Sequence, residues 1–202
     1  MNRRYKSLPA TIMLKHGTHL KPEQGMCLME AVAYVSNEPH SDAPGCACPV
    51  LSEYARTVND SVHWKNDAAR TSLLLPLVPK LVGSRGGLEE QIERACYLCD
   101  AAEQSVSAFT DFAETDECGE ECADLCACAY LEARVAVRTA AVARKNGCYT
   151  SSIQAAHLAA DALECLAEAA SAAEAGSERP KGRYVSFVLT CAAKALSEAI
   201  EI

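Results

Sequence analysis

Apolar residues recur along this chain mostly at helical spacing. Between 88 and 112, Ile92, Cys96, Cys99, Ala102, Val106 and Phe109 repeat every three or four positions, the signature of an amphipathic helix. Met26, Met29 and Ala33, with Cys27 and Val32 one position off, give a shorter apolar side. They place a helix from Glu23 to Val35, opened by Pro22, with Gly25 the only breaker. Pro39, Pro44, Gly45 and Pro49 forbid a regular element between Asn37 and Cys48. Pro49 opens a second helix through Leu51, Tyr54, Ala55 and Val58, ending near Asn59-Asp60. Asn66 or Asp67 caps a short third. Pro76 and Pro79 divide Leu73 to Val82 into brief turns, and Gly83 to Gly87 is a loop.

A further helix, capped by Asp116, runs to Lys145 and stops at Asn146-Gly147. Ser151-Ser152-Ile153-Gln154 has the form of a capping box and starts another, which ends near Gly176. A last helix spans Tyr184 to Ile200 after a linker rich in Pro and Gly. No segment alternates for long, so no substantial sheet is expected. The pattern predicts an all-α fold of about seven helices in a single domain, residues 1–202. An N-terminal motif unit of short helices and a Pro-rich loop, 1–87, packs on an Ala- and Cys-rich helical bundle, 88–202.

Composition narrows the function classes. The chain has 202 residues, 50% of them hydrophobic, and a formal charge of −8. A net acidic chain argues against general nucleic-acid binding. With 5% aromatics and one Trp, a stacking platform for bases is not expected. No apolar run reaches the ~18 residues of a membrane span. No secretory signal is evident, so a cytoplasmic protein with reduced thiols is expected. Charge is uneven: residues 1 to 21 carry five bases and no acid, and residues 89 to 124 carry twelve acids and only Arg94. The basic arm can meet the acidic segment of a neighbouring subunit, or both can be solvated faces.

Catalytic signatures such as His-Glu-x-x-His, a phosphate-binding loop and a nucleophile elbow are absent. The turn Gly83 to Gly87 can offer backbone N–H groups to an anion with Arg85 to neutralise it, or simply stop a helix. Cys118, Cys122 and Cys126 share one helical face, and Cys96 and Cys99 lie on the preceding helix. Facing thiolates can hold Cu(I) or Zn. Core packing of small apolar thiols is the plainer alternative, and Cys148, Cys165 and Cys191 are read as core. His19, Cys27, Glu30, His40, Asp42, Cys46 and Cys48 fall within 30 residues. If the Pro-rich loop folds back, His19, Cys27, Cys46 and Cys48 form a Zn site. Otherwise Glu30 and Asp42 cap backbone N–H groups and the thiols pack inward.

At these residues the chain resembles a family of phage, prophage and actinobacterial-type proteins. The matching pieces are Gly17-x-His19, Gly25-Met26-Cys27-Leu28-Met29-Glu30-Ala31, Glu38-Pro39-His40-Ser41-Asp42-x-Pro44, Cys46-Ala47-Cys48-Pro49-Val50, Asn59-Asp60 and Leu77 to Gly86. The resemblance covers roughly residues 14 to 87, and the Ala-rich tail is similar only in kind. Val58 stands where the family pattern has an aromatic residue. The resemblance implies a phage context rather than a reaction. It points at His19, Cys27, Glu30, Asp42, Cys46, Asn59, Asp60 and Arg85.

The leading expectation is a non-enzymatic, homo-oligomeric protein that sequesters a small anionic ligand, such as a nucleotide immune signal, or a host protein. Lys80, Arg85 and the basic arm would pair the ligand's charge. One alternative is a metal-binding protein, with Zn at the N-terminal cluster or Cu(I) or Zn in the bundle. Another is a thiol enzyme with Cys27 or Cys46 as nucleophile and His19 as base, oriented by Glu30 or Asp42.

Overall fold

A computed structural model describes residues 5–9, 11–114, 120–175 and 182–202. The fold is all-α, as the periodicity requires. Its helices are α1 (Leu28–Ser36), α2 (Pro49–Asp60), α3 (Asp67–Leu74), α4 (Val78–Leu81), α5 (Leu88–Glu114), α6 (Glu120–Asn146), α7 (Tyr149–Ala175) and α8 (Arg183–Ile200). One of these, α4, is a single turn, so seven longer helices remain. Short 3-10 turns occupy Pro22–Gln24 and Leu75–Leu77. Among the described residues the only β-type pairing is an isolated bridge between Leu14 and Met26. No helix among them is long and apolar enough to cross a membrane.

Three expected boundaries move, each for a local reason. The helix expected from Glu23 is interrupted at Gly25, whose φ of 131° is open only to glycine. The chain turns once at Pro22–Gln24 and restarts at Leu28. The capping box expected at Ser151 does not form, because α7 already begins at Tyr149. Ser152 instead lies inside the helix and donates to the Tyr149 carbonyl at 2.7 Å. The cap at Asp116 lies outside the described residues. Other signals hold: Asn66 accepts from the Ala69 N–H at 2.8 Å and caps α3. The helix α6 ends at Asn146, where Gly147 turns left-handed with φ 59°.

The bundle is built from alanine. On α6 the inward positions Cys122, Cys126, Ala129, Ala133, Ala136, Ala140 and Ala143 are all buried. They alternate steps of four and three residues, a heptad seam. The facing helix α7 buries Ala155, Ala156, Ala159, Ala160, Ala162, Ala167, Ala169 and Ala170. Methyl groups let two helix axes approach toward the short end of the usual ~8–10 Å range. They also lose no rotamer entropy on burial. Packed against α2, α5, α6 and α8, α7 is the axis of the fold.

One core continues from Leu14 through the motif unit to Ala199. The joint is α2, which lies against α5, α7 and α8. Its fully buried Tyr54 donates its hydroxyl to the Ala192 carbonyl of α8 at 3.4 Å. At the other end of the bundle, the carboxylate of Glu174 accepts from the N–H groups of Gly182, Tyr184 (2.6 Å) and Val185 (3.2 Å). A residue of α7 thus caps the start of α8, where N–H groups have no helical partner.

Because the α6–α7 seam is filled by methyl groups, it has no room for larger side chains. Ala133→Leu or Ala136→Leu is expected to lower stability by about 1–3 kcal/mol, read as the urea midpoint at unchanged m-value.

Candidate functional site

The motif residues converge on the start of α1. Its N-cap is Cys27, whose Sγ accepts from the Glu30 N–H at 3.4 Å. In return Glu30 Oε2 accepts from the Cys27 N–H at 2.7 Å. This is a capping box in which a thiol takes the place of a hydroxyl. Glu30 is 0% exposed, so its charge must be matched by donors. Oε1 accepts from the His19 N–H at 2.6 Å, and Oε2 accepts from His19 Nδ1 at 2.9 Å. His40 Nε2 donates to the His19 carbonyl at 2.8 Å and stands 3.5 Å from Oε1. Burial on its own would push the Glu30 carboxyl up. The N–H groups of His19 and Cys27 and the His19 ring outweigh it, and hold the carboxyl below its ordinary value of 4.5.

A second knot adjoins the first. The fully buried Asn59, near the end of α2, accepts from the Leu28 N–H at 3.1 Å. Its Nδ2 donates to the Lys15 carbonyl at 2.9 Å and to Asp60 Oδ1 at 2.6 Å. Asp60 Oδ1 also accepts from the Gly17 N–H at 2.8 Å. Arg70 Nε donates to the Asn59 carbonyl at 2.8 Å, and Thr71 Oγ1 accepts from the Leu14 N–H at the same distance. Asp42 Oδ2 accepts from Thr18 Oγ1 at 3.3 Å. Residues 14 to 19 are thereby tied to α1, α2, α3 and the Pro-rich loop.

His19, Glu30, Asp42, Asn59 and Asp60 therefore belong to one network, as their clustering in sequence suggested. Its chemistry is mostly consumed internally. Both Glu30 oxygens are occupied, and so are the amide oxygen and nitrogen of Asn59. With Nδ1 fixed on Glu30, the ring nitrogens without a partner among the described residues are His19 Nε2 and the buried His40 Nδ1. Burial, reinforced by the nearby Glu30 charge, pushes the Cys27 thiol up to about 12. It stays protonated near neutral pH, so it is a poor nucleophile.

The metal quartet expected at His19, Cys27, Cys46 and Cys48 is not assembled. Among the described residues no group of three or more His, Cys, Asp and Glu side chains comes together to hold a metal ion. The physical reason is that other partners claim each residue. Glu30 takes His19, and Cys27 caps its own helix. Cys46 and Cys48 are buried beside a different turn: the Cys46 carbonyl accepts from the Arg85 N–H, and the Cys48 N–H donates to Ser84 Oγ. The bundle cysteines do not form a metal cluster among the described residues, and Cys122 is disulfide-bonded, against the expectation of reduced thiols throughout. Cys96 and Cys99 donate to the carbonyls of Ala140 and Ala155. Cys118 lies outside the described residues. Cys165 and Cys191 are half-buried rather than core, and so is Cys148, whose thiol is lowered by Ser151 through hydrogen bonds from its hydroxyl and its N–H.

Lys80 and Arg85 stand apart from this network. Lys80 is exposed and contacts Ser197 and Glu201 near the C-terminus. Arg85 donates to the Gly45 carbonyl at 2.7 Å, which fastens the Pro-rich loop to the Gly83–Gly87 turn. Beneath that turn lies Arg94, which belongs to no motif in the sequence. It is 6% exposed. It donates to the Ser84 carbonyl, while its Nε has no partner and it makes no ion pair among the described residues. The buried Gln91 donates to the carbonyls of Arg85 and Gly86, but its Oε1 is also unmatched. Glu90 closes the turn by accepting from the Gly87 N–H. The one available signal was that Arg94 is the lone base in an acidic stretch.

No protein-family model, curated protein or solved structure matches the chain.

The Glu30 carboxylate adds stability that is complete above its ordinary value of 4.5 and lost as pH falls toward its lowered folded value. Glu30→Gln is expected to cost about 2–4 kcal/mol at pH 7. The gap between variant and wild type should narrow as the pH of urea titrations drops from 5 to 3. A gap that is constant with pH would show that ionisation of Glu30 is irrelevant.

Proposed function

We propose that the protein binds a small anionic ligand without transforming it, at the Gly83–Gly87 turn. The observation that carries this reading is Arg94: a buried guanidinium with no carboxylate paired to it, roofed by a glycine turn. Unpaired buried charge is costly, and an anion of phosphate type would relieve that cost through bidentate pairing. Arg85 on the same turn adds a second cation at the surface, and Gly86 keeps the roof thin. A Cβ there would lie 3.1 Å from an Arg94 terminal nitrogen and 2.9 Å from Glu90 Oε2. Glu90, which accepts from the Gly87 N–H, holds a donor of the turn for which an incoming anion would compete.

Sequestration in the cytoplasm, of a nucleotide immune signal in a phage context, is the biological form of this reading; it rests on the motif resemblance. Against a thiol enzyme stands the raised Cys27 thiol. The Glu30 network acts here as the anchor of the scaffold rather than as the binding site, and Lys80 takes no part.

Pyrophosphate, ATP and a cyclic dinucleotide are the probes. Binding to the folded state alone raises Tm, and the stabilisation grows with the logarithm of ligand excess over Kd. At least one probe is expected to raise Tm by several degrees. Arg94→Gln should abolish that response, and Glu90→Gln should strengthen it. If none of the three shifts Tm at millimolar concentration, the anion reading fails.

A further inference from the structure

The helix α6 carries a second seam on the side away from the bundle. Asp124, Cys128, Leu131, Val135, Arg138, Val142 and Lys145 follow the same alternation of four and three residues as its buried face. All seven are exposed. Leu131 is 64% exposed, Val135 46% and Val142 49%. Within the chain, α6 packs against α5 and α7, which leaves this outer seam uncovered.

The charges along α6 are polarised. Glu121, Asp124 and Glu132 lie in its first half, and Arg134, Arg138, Arg144 and Lys145 in its second. A parallel partner of the same sequence would set acid against acid and base against base. An antiparallel partner does the reverse. With a two-fold axis at Val135, Glu132 comes opposite Arg138 of the second copy, and Asp124 comes opposite its Asn146, beside Lys145. Cys128 then meets Val142 of that copy, and Val135 meets itself. In this register Leu131 faces Thr139 and stands beside Arg138, whose aliphatic stem can cover it.

We propose that α6 is the interface of a homodimer, paired antiparallel with α6 of a second copy about a two-fold axis at Val135. Such a contact is self-complementary and closes at two subunits. It depends on neither the anion site nor the Glu30 network. A single helix pair is narrow beside the ~800 Å² per partner of a standard interface, so the dimer is reversible, with Kd on the order of micromolar.

Sedimentation of the full chain between about 1 and 100 μM should show a monomer–dimer equilibrium. Val135→Glu should weaken it by at least about tenfold. Asp124→Lys should weaken it too, and Asp124→Lys with Lys145→Asp should restore it, which simple damage to the fold would not do. Circular dichroism checks that each variant stays helical. Val135→Cys should form a covalent dimer on mild oxidation. The native Cys128 should not, since its two copies stand roughly 21 Å apart at 1.5 Å per residue. A chain that stays monomeric up to 100 μM overturns the proposal, and so does crosslinking of the wild type through Cys128, which requires parallel helices.

Discussion

A carboxylate with no access to water, Glu30, constrains the whole N-terminal third. Burying a charge is prohibitive unless donors surround it, and α1 supplies only one of its own, the Cys27 N–H. The rest must come from elsewhere in the chain. His19 contributes two donors from the segment before the helix, and His40 brings an imidazole from the loop after it. Segments with almost no regular structure are thereby held in place. Asn59 repeats the logic between α1 and α2, joining the Leu28 N–H to the Lys15 carbonyl. The order of the motif unit rests on these polar ties as much as on its apolar contacts.

The bundle works differently. Its seams are methyl against methyl, which yields close helix approach but little directional information. An alanine seam tolerates sliding by a heptad unless something fixes register. For α8, two polar contacts supply that: Tyr54 reaches the Ala192 carbonyl, and Glu174 gathers the free N–H groups at the start of the helix. The first joins residues 138 apart in sequence, and the second closes the connection between the consecutive helices α7 and α8. The motif unit, through α2, therefore locks the bundle as well as resting on it.

Much of this was legible in the chain itself. Helical periodicity and proline placement located the helices, and the clustering of His19, Glu30, Asp42, Asn59 and Asp60 in a few motifs announced a shared environment. What stayed hidden were choices among equivalent partners. Cys27 and Ser151 each begin a plausible capping pattern; only the first forms, because burial forces Glu30 to seek every donor while α7 starts before Ser151. Cys46 and Cys48 lie nearer in sequence to Cys27 than to the Gly83–Gly87 turn, yet they settle beside Ser84 and Arg85. Their destination depends on a long-range docking that spacing does not encode. Arg94 is not marked by any motif for the same reason, since its isolation arises only when the Gly83–Gly87 turn closes over it.

Satisfaction of polar groups separates scaffold from candidate surface. Glu30 and Asn59 are saturated, and a saturated group has no free energy left to offer a ligand. The residues singled out by motif resemblance are mostly of this kind, which explains how a chain can carry a dense set of polar motifs without an evident reaction centre. Capacity for recognition lies where partners are missing: the Arg94 guanidinium and Gln91 Oε1 beneath the glycine turn, and the outer seam of α6 with its apolar and oppositely charged halves. One is a buried charge without a counter-charge, the other an exposed stripe without a cover. Both are unfavourable in the isolated chain, and the binding proposed for each would relieve that cost, which the density of motif residues does not reflect.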